Sequence, residues 1–282
     1  MESFELTGQP INEKTVHEFL LLSPENPSSV SSCLWNVREN IRSARNRLSE
    51  VLWLIVNEFY LSLQSLTTGE LLRLDRELFF QKVRTFCLAF SGACDHTLLH
   101  DEAWNFLRLG RALERSIQTT QSLDFHGKTL MEDTDSEGHA VHIHHWQVLL
   151  RSVDGLEAYI QNYQNRIVPK NAVELLINRI NFPRSILFNV RLLRELISTL
   201  PHQSDISSFW LLEQNISGLE VEIRSHAAAD VLQNNFDDYL QDILRCLLRL
   251  NGLICRTYFG VSEAVGDEKE EEPQKTQGGG PQ

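Results

Sequence analysis

The chain has 282 residues, 42% of them hydrophobic and 23% charged, which is long enough for a buried core and ordinary for a globular protein. Its formal charge is -12, and removing residues 263–282, with six acids and two lysines, still leaves -8. An acidic body is repelled by phosphate backbones, so nucleic-acid binding is set aside. The longest apolar stretch, 51–63, is interrupted by Asn57, Glu58 and Ser62 and is too short for a bilayer. No basic segment followed by an apolar run marks a secretory signal, so the chain reads as soluble and cytoplasmic.

Eight prolines and fourteen glycines, several in the last twenty residues, leave the rest poor in punctuation and favour long helices. Residues 1–10 read as irregular. A short helix is expected from Asn12 to Leu22. Asn26-Pro27-Ser28 reads as an N-cap with proline in the first turn. The next helix should bury Val30, Cys33, Leu34, Val37, Ile41, Ala44 and Leu48, which recur every three or four positions. Residues 50–66 continue helical after a break near Ser49, and Thr67-Thr68-Gly69 is a stop. Further helices are expected at about 75–93, 101–125, 143–165, 170–179, 184–200 and 205–259. Asp101 caps one start, Pro183 opens another, and the last helix should break near Gly218 or Ala227. Residues 127–142 read as a loop, and residues 261–282 as a disordered acidic tail. With no convincing strand or hairpin signal, the fold class is all-α, a helical bundle.

The sequence also repeats itself. At an offset of 156, residues 11–41 align without a gap on 167–197 with eight identities, among them Ile11/Ile167, Pro27/Pro183, Ser29/Ser185, Arg38/Arg194 and Glu39/Glu195. Average residue usage gives about two by chance. The expectation is two related helical units, a partial first one at about 11–97 and a second at about 98–260.

Twenty arginines stand against six lysines, and the planar guanidinium fork suits carboxylate or phosphate partners. In 107–115, Phe106, Leu109, Leu113 and Ile117 should form an apolar helix face, with Arg108, Arg111 and Arg115 opposite and Glu114 on the flank. Gly110 costs about 1 kcal/mol in a helix, a cost suited to a close helix approach. A second row is Arg38, Arg42 and Arg45, with Glu39 expected away from the core. The bland alternative for both rows is a solvated, salt-bridged helix face. Five scattered cysteines without a C-x-x-C pair read as reduced, buried thiols. His139, His142, His144 and His145 cluster, but no carboxylate or cysteine spacing completes a metal site. Phosphate-binding glycine loops and G-x-S-x-G are absent.

Taken together, several of these segments carry a resemblance. They are Asn26-Pro27-Ser28-Ser29 running to Arg38-Glu39-Asn40, Leu98 to Glu102, and Leu109-Gly110-Arg111 with Leu113-Glu114-Arg115. Trp146 through Arg151-Ser152-Val153 with Glu157-Ala158-Tyr159, and Phe182-Pro183-Arg184-Ser185, complete the set. Over about residues 11–260 the chain resembles the alpha-E family of bacterial proteins. That resemblance implies an all-helical domain with a Glu-Arg motif and no established enzymatic activity. It also implies an association with a circularly permuted ATP-grasp ligase and a transglutaminase-like peptidase in peptide synthesis or tagging. Family members usually carry an earlier Gly-Arg-x-x-Glu-Arg helix. By the 156 offset its place precedes residue 1, so the chain is expected to start inside the first unit and leave an apolar face that favours association.

The resulting expectation is a non-catalytic interaction or scaffold component, with an ATP-grasp-type ligase or transglutaminase-like partner and a possible homo-oligomer. Arg38, Arg108, Arg111, Arg115 and Arg151 would contact carboxylates of a peptide or partner, and Glu114 would orient an arginine. Glu39, Arg42, Arg184 and Arg194 complete the candidate set. No cofactor, metal, catalytic residue, nucleic acid or membrane is expected. The alternative is a helical enzyme component whose arginine cluster binds a carboxylate or phosphate substrate.

Overall fold

The computed structural model describes residues 10–64, 76–132, 138–164, 166–201, 206–233 and 235–260, with side chains outside the description at 76, 127–132, 138–142, 229, 230 and 233. Among the described residues every regular element is helical, as expected, and none is a strand. The chain divides into two compact units, 1–105 and 106–282.

In the first unit, α1 (Glu13–Leu21) starts at Asn12, whose side chain accepts from the Thr15 amide while the Thr15 hydroxyl accepts from the Asn12 amide. It buries Phe19 and Leu21. Helix α2 (Val30–Ser43) is capped by Ser29, not Asn26. An N-cap needs extended backbone directly before the first turn, and Pro27-Ser28 first form a turn. Buried Asn26 instead closes that turn, accepting from the Ser28 amide and donating to the Phe19 carbonyl. Leu34 and Ile41 are buried in α2, but Cys33 is exposed. The helix ends before Leu48, which leaves the stripe at the turn over residues 44–47. Helix α3 (Glu50–Gln64) buries Leu52, Val56 and Leu63 and packs between α2 and α4 (Arg76–Thr97). Phe59 of α3 stacks on Phe86 of α4 with centroids 4.4 Å apart. The stop at Thr67-Thr68-Gly69 lies outside the described residues.

Helix α5 (Glu102–Glu132) spans the division between the units. Asp101 caps it as expected, accepting from the Ala103 and Trp104 amides. The segment 127–142, expected as a loop, is helical at its two ends: α5 runs to residue 132 and α6 (Gly138–Ser152) begins at 138. Nor is 143–165 one helix. Asp154, at φ 53°, and Gly155 separate α6 from α7 (Leu156–Tyr163). A Cβ at Gly155 would lie 3.3 Å from the Phe182 ring, so Phe182 packs directly on that corner.

Helix α8 (Pro169–Val173) runs on into a π-helical turn (Glu174–Asn178). Helix α9 (Ile186–Thr199) starts after Ser185, not at Pro183, which belongs to the preceding turn. The chain continues through α10 (Ile206–Ser225), α11 (Ala228–Gln233) and α12 (Phe236–Phe259). The break near Ala227 is present, whereas Gly218 lies inside α10, and a further break falls at Asn235 with φ 56°. Helices α9, α10 and α12 pack in succession over a core that includes Leu123, Trp146, Leu149, Tyr159, Leu176 and Leu193.

Helices α2 and α9, each fourteen residues, begin at residues 30 and 186. No helix among the described residues is long and apolar enough to cross a membrane. Three of the five cysteines, Cys33, Cys87 and Cys246, are exposed and only Cys94 is fully buried, which corrects the expectation of buried thiols.

Candidate functional site

Each unit gathers arginine and glutamate around the arginine shared by the offset. In the first unit, Arg38 of α2 donates from Nε to Asn57 Oδ1 of α3 at 3.0 Å and pairs with Glu39 at 3.1 Å. Its guanidinium lies over the rings of Trp53 and Tyr60, 5.3 and 4.7 Å from their centroids. Glu39 also holds Arg42 at 2.6 Å, so Glu39 is a half-buried clasp and not a residue turned away from the core. Arg45 also lies over the Trp53 ring, 5.2 Å from its centroid. An open depression of about 440 Å³ beside this cluster is lined by residues that include Pro27, Trp35, Tyr60 and Gln64, with no arginine among them.

In the second unit, the arginine at the same offset, Arg194 of α9, finds its partner one helix further on. Its Nη1 lies 2.7 Å from Oε2 of Glu220 on α10. Arg191 and Arg224 each lie 3.6 Å from Oε1 of the same carboxylate. The Glu220 side chain is 3% exposed, while the three arginine side chains are about half exposed or more. A buried carboxylate is costly unless paired, and here one is held by cations from two helices. Glu220, Arg191 and Arg224 are absent from the sequence-derived set. A signal exists for the first: Leu212, Ile216, Leu219 and Ile223 are the buried stripe of α10, and Glu220 falls within its arc.

The α5 arginines do not stand opposite the core. Ala112, Ser116, Thr119 and Thr120 are buried beside Leu109 and Leu113, which shifts the buried face and leaves Arg108, Arg111 and Arg115 half-buried along its side. Glu114 is exposed and accepts from Gln118 at 2.8 Å. A Cβ at Gly110 would meet nothing within 4 Å, so no helix presses on it. Arg151 is exposed, and Arg184 pairs with Asp154 at 3.5 Å. Glu195 is exposed on α9. Burial and then the neighbouring His145 lower the His126 pKa below the usual imidazole range. Among the described residues no group of three His, Cys, Asp or Glu could hold a metal, and the His139 and His142 side chains lie outside the description.

The two units differ in what covers the segment before the capped helix. In the second unit α7 lies on residues 166–179. The Tyr159 hydroxyl donates to the Arg166 carbonyl at 3.1 Å and accepts from the Val168 amide at 2.8 Å. Tyr163 packs beside Glu174 and Arg179; burial first, then the Glu174 carboxylate, pushes its phenol up to about 12. Ile167 is 5% exposed and Leu176 fully buried. At the same offset in the first unit, Ile11 is 66% exposed and Leu20 50% exposed.

These features define an all-helical protein in which each unit holds a cluster of arginines on a glutamate. The chain belongs to the Alpha-E family, described as a predicted alpha-helical domain with a conserved ER motif, whose model matches residues 2–259. Glu114-Arg115 is the one Glu-Arg dipeptide in the sequence. No curated protein and no solved structure matches the chain.

Proposed function

We propose that this chain is a non-catalytic interaction module built from two related helical units, the first of which docks a helix pair of a partner protein. The observation that carries the reading is the contrast at matched positions: Ile11 and Leu20 stand open, while Ile167, between the two residues that the Tyr159 hydroxyl of α7 bonds, and Leu176, in the π-helical turn packed against α9, α10 and α11, are buried. Exposed apolar side chains at positions a homologous unit buries are a docking surface of defined shape. Trp35, Leu54, Leu61 and Leu88 add further exposed apolar area to the first unit. The partner is a helical segment with an aromatic and aliphatic face like that of Trp146, Leu149, Leu150 and Tyr159. On the family resemblance, an ATP-grasp-type ligase or a transglutaminase-like protein of a peptide synthesis or tagging system supplies it.

A synthetic peptide with the sequence of residues 138–164 serves as the probe. Titrated into the full chain, it should bind in the micromolar range, and Leu20→Asp should weaken it at least about tenfold, the loss of one buried leucine contact. Val221→Asp, at a site 66% exposed in the other unit, should leave binding unchanged. No binding, or binding indifferent to Leu20→Asp and Ile11→Asp, overturns the reading. A chain that dimerises through Leu20 assigns the face to a second copy and overturns it as well. Affinity capture from the native host with wild-type and Leu20→Asp chains then identifies the partner. Loss of a ligase or peptidase with the variant supports the named class.

A further inference from the structure

We infer that Arg191, Arg194 and Arg224 over Glu220 form a binding site for a small dianionic oxyanion, a site that stands whether or not the first unit docks a partner. One carboxylate is fully neutralised by one guanidinium, yet three converge on Glu220 within 3.6 Å from two different helices. The cluster carries a surplus of two positive charges. Two carboxylate oxygens accept about four hydrogen bonds, whereas three guanidiniums present about fifteen donors. Solvent reaches the guanidiniums while the carboxylate is enclosed, since the arginine side chains are 45%, 48% and 66% exposed and the Glu220 side chain is 3% exposed. Glu220 thus acts as a buried pin that orients the forks without neutralising them.

Nearby acids do not cancel the surplus. Glu222 turns to His226, 3.6 Å away, and Glu195 is exposed with no bridge among these contacts. The gathering of three arginines on one buried carboxylate is particular to this unit. At the offset of 156, Arg194 corresponds to Arg38, but Arg191 corresponds to Trp35 and Glu220 to Gln64. The first unit therefore sets Arg38 and Arg45 over Trp53, with Arg38 and Arg42 on half-buried Glu39, where the second gathers three arginines on one buried carboxylate. Forked donors on fixed helices suit a phosphoryl group or a dicarboxylate, both of which accept bidentate pairs.

Calorimetric titration of the full chain at low ionic strength, with inorganic phosphate and with glutarate as separate probes, tests the assignment. Binding in the submillimolar range by either probe is expected, and the probe that binds names the class, phosphoryl or dicarboxylate. Arg224→Gln, at the most exposed of the three, should fold normally and weaken binding about tenfold, and Arg194→Gln should weaken it further. Arg249→Gln, an exposed arginine on α12, should change nothing. Silence with both probes overturns the site. So does an affinity that Arg224→Gln leaves intact, or one that Arg249→Gln lowers equally, because bulk charge would then be the cause.

Discussion

Glu220 illustrates how much one side chain can decide. Removing its carboxylate leaves three guanidiniums facing one another beside a small void. Glu220→Ala should destabilise the chain by about 2–3 kcal/mol, below the full penalty for a broken buried pair because the arginines are partly solvated. Urea unfolding checks this, and a loss within experimental error would mean the arginines relax into solvent. Tyr163 makes a second case at this scale. Its neutral phenol is favoured in the fold, with the pKa raised from 10.0 to about 12. That contribution is complete below pH 10 and is lost as pH rises through 10 towards 12. Tyr163→Phe should therefore flatten the decline of stability across that window, as measured by unfolding at a series of pH values. Gly110, with open space around it, predicts the opposite sign: Gly110→Ala should raise stability by about 0.5–1 kcal/mol.

At the level of elements, equivalent positions perform different work. Ser29 is an N-cap, accepting from the Ser32 amide, whereas the Ser185 hydroxyl donates to the buried Ile177 carbonyl at 3.0 Å. The first role was open to sequence reading in kind, since a Pro-Ser-Ser run announces a helix start, but the choice among Asn26, Ser28 and Ser29 depends on where the turn ends. Asn12 and Asp101 were legible because each stands directly ahead of its helix. The join between α7 and residues 166–168 rests on one hydroxyl, that of Tyr159, which satisfies both a carbonyl and an amide. Tyr159→Phe leaves the Val168 amide without that acceptor and should cost about 1–3 kcal/mol. Differential scanning calorimetry on the variant reads the loss directly, and an unchanged melting temperature would mean that water takes over the clamp.

For the molecule as a whole, matched substitutions separate a covered face from a bare one. Leu176→Asp buries a charge in a core position and should unfold the second unit, while Leu20→Asp should shift stability by no more than about 0.5 kcal/mol. Far-UV circular dichroism with thermal melts distinguishes the two, and equal destabilisation would show that the first unit closes over Leu20 in solution. The periods of three and four along the chain were enough to establish that it is helical and roughly where most helices lie. Those properties reside in neighbours a few positions apart, and helix geometry converts them directly into faces. Periodicity misplaced the corner at Asp154-Gly155 because the helical pattern resumes on its far side, and it misjudged Cys33 because a stripe position is buried only if another helix lies across it. The arginine clusters were legible as candidates but not as constellations. Arg38 meets Asn57, and Arg194 meets Glu220, only because successive helices pack side by side, bringing together polar groups whose pairing local spacing does not encode.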